Sequence, residues 1–221
     1  MTSWKTQERI NTGGVRLDGD LTLPEHPAGL VIFAHGSGSS RHSPRNQIVA
    51  AELNQYGFAT LLADLLTPDE EVADERTGLL RFDIGLLADR VIGIIDWARN
   101  HPPTAALAFG LFGASTGGGA ALVAAAARPE AVRAVVSRGG RPDLAGPALL
   151  EVRAPTMLIV GERDVNVVDL NEQARNTMRI SAELRVIAGA THLFSEPGAL
   201  EQVAEEAAGF FQMHVAVPVS P

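Results

Sequence analysis

Cysteine is missing from all 221 residues. Its absence removes disulfides, thiolate nucleophiles and cysteine-ligated metals together, and it fits a reducing, cytoplasmic setting. Lysine occurs once, as Lys5, so a phosphate loop of the Gly-Lys-Ser/Thr type is excluded. Tyrosine also occurs once. Four residues beyond Tyr56 stands Thr60, not the lysine that a short-chain dehydrogenase pairs with its tyrosine. Gly36-x-Gly38 has Arg41 where a dinucleotide fingerprint needs its third glycine, and no His-Glu-x-x-His run is present to bind a catalytic metal. No stretch approaches the roughly 18 apolar residues of a membrane span, and the start, "MTSWKTQERI", has no signal-peptide core. Basic charge is scarce too: 18 basic against 26 acidic side chains leave a formal charge of −8, the wrong sign for nucleic acid. The expectation is a soluble monomer or homodimer acting on a small molecule, with no nucleic-acid or membrane partner, no metal and no organic cofactor.

What is present is a rhythm. "VRLDGDLTL" alternates at strand parity, and two antiparallel strands are expected near 5–11 and 15–23, with "DG" as a turn or bulge signal. Six short continuous apolar runs follow, at 30–36, 58–64, 106–114, 131–137, 156–162 and 184–190, as expected of strands buried on both faces. Between and after them lie helical patterns at 46–56, 83–99, 116–128, 168–178 and 199–211. Strands alternating with helices predict an α/β fold, a mostly parallel sheet covered on both faces. The chain is read as one domain, residues 1–221, with no large cap and a loosely ordered tail over 214–221. The acidic stretch 65–83 is a candidate lid element.

Such sheets bind ligands beyond the carboxyl ends of their strands, so the residues after each apolar run are informative. "FGASTGG" places Ser115 between Gly113 and Gly117 on a strand-to-helix turn, the Gly-x-Ser-x-Gly pattern of a nucleophile elbow. A nucleophile raised there needs tiny neighbours two positions either side, because the strand and helix backbones nearly touch. "HGSGSS" follows the first core strand. The backbone N–H groups of Ser37 and Thr116 are the expected oxyanion donors. "GERD" ends another strand with Asp164, placed to orient an imidazole, with Asp143 and Asp169 as competing acids. "GATHLF" supplies His192, and the order Ser115, Asp164, His192 suits a Ser-Asp-His triad. "SRGGRPD" offers Arg138 and Arg141, either as a fork for a substrate carboxylate or as partners of Asp143 and the acidic stretch.

Taken together, "FAHGSGSSRHSPRN", "FGASTGG", "SRGGRPDLAG", "LIVGERD" and "GATHLF" resemble the α/β-hydrolase superfamily, and more closely the dienelactone hydrolase-like family. The resemblance covers almost the whole chain. It implies an α/β-hydrolase fold and cleavage of small carboxylic esters through an acyl-enzyme. Typical members use a cysteine nucleophile and carry a glutamate by the oxyanion loop. This sequence has Ser115 at the first position and no glutamate in "HGSGSS". Lactone, thioester and phosphotriester hydrolysis share the same machinery, and a non-catalytic hydrolase-fold binding protein is the alternative outside enzymes.

Overall fold

The strand Leu30–Ala34 shows how the apolar runs are used. Leu30, Ile32 and Ala34 enter one buried cluster, while Val31 and Phe33 enter another on the opposite face. Every position is buried because a side chain on either face meets a helix layer. The computed structural model describes residues 3–216, and these build an eight-stranded sheet. In chain order the strands are β1 (Ser3–Thr12), β2 (Val15–Pro24), β3 (Leu30–Ala34), β4 (Ala59–Ala63), β5 (Phe109–Ala114), β6 (Val132–Arg138), β7 (Thr156–Gly161) and β8 (Glu183–Ile187). Their spatial order is β1-β2-β4-β3-β5-β6-β7-β8. β3 to β8 are parallel, and β2 runs antiparallel to both β1 and β4.

The helices are α1 (Pro44–Gln55), α2 (Pro68–Thr77), α3 (Ile84–Asn100), α4 (Thr116–Ala127), α5 (Val165–Thr177) and α6 (Ala199–His214). α1 and α6 cover one face through Val49, Leu53, Val203, Ala207 and Phe211. α3 and α4 cover the other through Leu87, Val91, Ile94, Ala120 and Ala124. The two-sided α/β architecture expected from the alternation is the one observed. Among the described residues no helix is long and apolar enough to cross a membrane.

Three local expectations are corrected, and the acidic stretch gains a structure. The "DG" at Asp18–Gly19 makes no turn, because β1 and β2 pair without interruption through it. A side chain at Gly19 would come within 2.9 Å of Ile10 Cδ1, so the glycine answers a close approach. The chain reverses instead at Gly13 and Gly14, both with positive φ. β8 is not buried on both faces: it is the sheet edge, with Arg185 and Val186 exposed. The tail is docked further than expected. His214 ends α6, and Val215 is buried against Gly29 and Gly110. Positions 217–221 of the expected loose tail lie outside the described residues. Finally, the acidic stretch folds into α2, with a capping box between Thr67 and Glu70. Its Asp74 carboxylate is buried and accepts hydrogen bonds from the backbone of Leu80 and Arg81 and from the Arg81 side chain.

Candidate active site

Because β3 to β8 point the same way, the segments that follow them converge on one rim. Ser115 sits between β5 and α4 with φ 51° and ψ −122°, a backbone conformation that costs a non-glycine residue energy and marks a built feature. The glycines around it are fixed by contact. A Cβ on Gly113 would lie 2.6 Å from the Gly117 carbonyl oxygen. One on Gly117 would run into the carbonyl oxygens of Ala34 and His35. Strand β3, strand β5 and the first turn of α4 therefore meet backbone to backbone, and no side chain fits between them. The turn is latched to β6 by Ser115 N–H to the Arg138 carbonyl (3.2 Å) and Arg141 N–H to the Ser115 carbonyl (3.0 Å).

The loop after β3 closes over this elbow. His35 is buried. Its Nε2 accepts the Leu65 N–H at 3.0 Å and its Nδ1 lies 3.0 Å from the Gly36 carbonyl, which defines a neutral ring with the proton on Nδ1. Burial lowers its pKa, against the smaller raising effects of the Gly36 carbonyl and Asp64. The imidazole ties the "HGSGSS" loop to the chain beyond β4. The N–H groups of Ser37 and Thr116 have no described protein acceptor. For Thr116 this follows from its place at the start of α4, where helix N–H groups lack partners.

Asp164 caps the segment after β7, and His192 lies in the loop after β8. The two meet at 2.6 Å, His192 Nδ1 to Asp164 Oδ2. Asp143, the first competing acid, is paired with Arg141 through two hydrogen bonds of 2.8 and 2.7 Å; Asp169, the second, is exposed on α5. Ser115, His192 and Ser37 line one pocket of about 230 Å³, together with Arg45, Asn46 and Arg138. A second cavity of about 340 Å³ shares Gly36, Ser37 and Ser39 with it and extends to Glu71, Asp74 and Arg81 beside α2. The acidic stretch thus forms a wall of the adjoining cavity.

The two arginines of "SRGGRPD" separate. Arg141 is held by Asp143, whose hydrogen bonds raise its pKa, and it does not line the Ser115 pocket. The ion-pair alternative describes it, not the carboxylate fork. Arg138 is 6% exposed, lines the pocket and has no carboxylate partner among the described residues. Two pocket residues, Arg45 and Asn46, were missed. The signal was present in "SPRN": Ser43 N-caps α1 and Pro44 takes its first position, which starts the helix two residues earlier than expected and turns Arg45 toward the rim. Among the described residues no group of three or more His, Asp or Glu side chains is placed to hold a metal ion.

Residues 17–214 match the model of the dienelactone hydrolase family. The structure is similar to the crystal structure of a dienelactone hydrolase from Anabaena variabilis, with a TM-score of 0.95 and 55% identity over 96% of this chain and 99% of that one. Est1E from Butyrivibrio proteoclasticus shares the fold at 18% identity and a TM-score of 0.78, covering 94% of this chain and 98% of its own. A Mycobacterium tuberculosis protein with a provisional phosphoribosyl transferase name is 56% identical over 210 residues. That match is 95% of this chain but 46% of the relative, so the chain spans about half the length of the curated relatives it matches.

Proposed function

The chain belongs to the dienelactone hydrolase family, and on that premise we propose that it is a serine hydrolase of small carboxylic esters. Ser115 is its nucleophile, His192 its base and Asp164 the orienting acid. The carrying observation is the 2.6 Å contact of Asp164 with Nδ1 of an imidazole that shares a pocket with Ser115. With the Nδ1 proton held by the carboxylate, Nε2 is left basic. It takes the Oγ proton as Ser115 attacks the ester carbonyl carbon. The Ser37 and Thr116 N–H groups donate to the resulting oxyanion. The carbon–oxygen bond to the alcohol then breaks, and His192 returns the proton to the departing oxygen. Water repeats the sequence on the acyl-serine, giving the free acid and restoring the hydroxyl.

The reading extends to the whole chain. Residues 1–221 act as one hydrolase domain in the cytoplasm, as monomer or homodimer, without a cofactor. Turnover of short p-nitrophenyl esters tests the proposal. Wild type is expected to hydrolyse them and Ser115→Ala to lose the activity. A Ser115→Ala protein with wild-type turnover would overturn it.

A further inference from the structure

Two guanidinium groups face the Ser115 pocket with no carboxylate partner among the described residues; that of Arg138 lies 5.8 Å from the centre of the Phe194 ring, which offsets part of its charge. Arg138 is 6% exposed and its buried Nε has no hydrogen-bond partner. Burial, reinforced by the charge of Arg45, lowers its pKa to about 10. The buried Nε of Arg45 is also unpartnered. No described residue forms an ion pair with either one. A buried unpaired cation is a cost that folding alone gives no reason to keep. The pocket lining contains no carboxylate, although acidic residues outnumber basic ones in the chain.

One further feature of the wall has the same polarity, and a second can be turned to it. Ser43, Arg45 and Asn46 are the cap and first turn of α1, a 12-residue helix with no acidic residue in that turn; Ser43 Oγ accepts the Asn46 N–H at 3.4 Å, and no charge offsets the positive end. Asn46, 2% exposed, lines the same pocket and has its side-chain Oδ1 buried without a partner. Which amide atom faces the pocket is an assignment, and a ligand that accepts hydrogen bonds calls for the nitrogen.

We propose that Arg45, Arg138 and the N-terminus of α1 form an anion subsite beside Ser115 that takes a phosphate dianion carried by the substrate. Charge selects phosphate: two guanidiniums are balanced by a dianion, whereas one carboxylate leaves one of them unpaired. Geometry agrees, since two planar forks and a helix end offer more donors than one carboxylate accepts. The substrate class is then a phosphate-bearing ester. This inference rests on the esterase reading for its chemistry, but not for its binding.

Calorimetric titration of the full chain with inorganic phosphate at low salt tests the subsite without turnover. One saturable site is expected, weakened tenfold or more in Arg45→Gln and in Arg138→Met, with acetate binding at least tenfold more weakly to wild type. Arg45, at the pocket mouth, serves if Arg138→Met fails to fold. Absence of a saturable site, equal affinity for acetate, or unchanged affinity in Arg45→Gln overturns the proposal. A protein that binds phosphate but hydrolyses no ester refutes the esterase reading and leaves the subsite standing. Ester turnover without phosphate binding does the reverse.

Discussion

The Asp164 carboxylate accepts a 2.6 Å hydrogen bond from Nδ1 of His192, two side chains 28 positions apart. Backbone bonds fix that meeting. Arg163 N–H reaches the Ala190 carbonyl at 2.9 Å, and Glu162 N–H reaches that of Ile187 at 3.0 Å. Gly161 allows the approach, since a Cβ there would lie 2.5 Å from the Ala190 oxygen. The loops after β7 and β8 are stitched together by backbone bonds, which bring the two side chains within reach.

Asp164→Asn keeps the shape and removes the charge that fixes the His192 tautomer. The expected loss in kcat is about 10⁴-fold, the size seen when a triad acid is neutralised elsewhere, with the melting temperature nearly unchanged. Steady-state kinetics and a thermal melt on the same sample check both halves.

Gly117→Ala places a methyl group against the Ala34 and His35 carbonyls. Backbone cannot yield as a side-chain tip can, so destabilisation at or above the upper end of about 1–3 kcal/mol is expected. Urea unfolding measures it. Gly209→Ala on α6, where a Cβ meets nothing, is expected to be neutral or stabilising.

Glu196 accepts hydrogen bonds from Thr191 N–H (3.0 Å) and Thr191 Oγ1 (2.8 Å), one residue before His192. Those bonds, backbone first, hold its pKa below the usual carboxylate value. A depressed acid stabilises the fold above its unfolded pKa, about 4.3, and loses that contribution as pH falls through the folded value. Wild type is therefore expected to be more stable than Glu196→Gln at pH 7, with the gap closing below pH 4. The variant is also expected to lose about tenfold in kcat through a looser His192 loop.

His35 acts in the same direction, but higher on the pH scale. Its neutral ring accepts the Leu65 N–H, and burial depresses its pKa. The unfolded chain therefore takes up a proton first, near pH 6.5. Stability is full above that pH and falls as pH drops from it toward the folded value. The slope of unfolding free energy between pH 6.5 and 5 is expected to flatten in His35→Gln, as measured by urea titrations across that range.

The strand ends were legible because chemistry there is punctuated by glycine. Gly113, Gly117 and the order of Ser115, Asp164 and His192 pointed to the rim that the fold assembles. Asp164 stood out from Asp143 only through a contact across 28 residues, which spacing alone suggests but does not draw. Arg45 was hidden for a different reason. Its place depends on where α1 begins, and periodicity fixes the middle of a helix better than its cap. Exposure of β8 was signalled by Glu183 and Arg185, two charges within five residues, and reading the stretch as one apolar run passed over them. α2 escaped notice because its charged sequence has little apolar face; caps and the buried Asp74 hold it instead.

Covalent labelling by a fluorophosphonate, read by peptide mass mapping, tests the central claim most directly, because the reagent demands an activated serine and reports which one. The account predicts a single adduct per chain on Ser115, absent from Ser115→Ala and strongly slowed in His192→Ala. A folded wild-type protein that takes no label, or takes it on another serine, would contradict it.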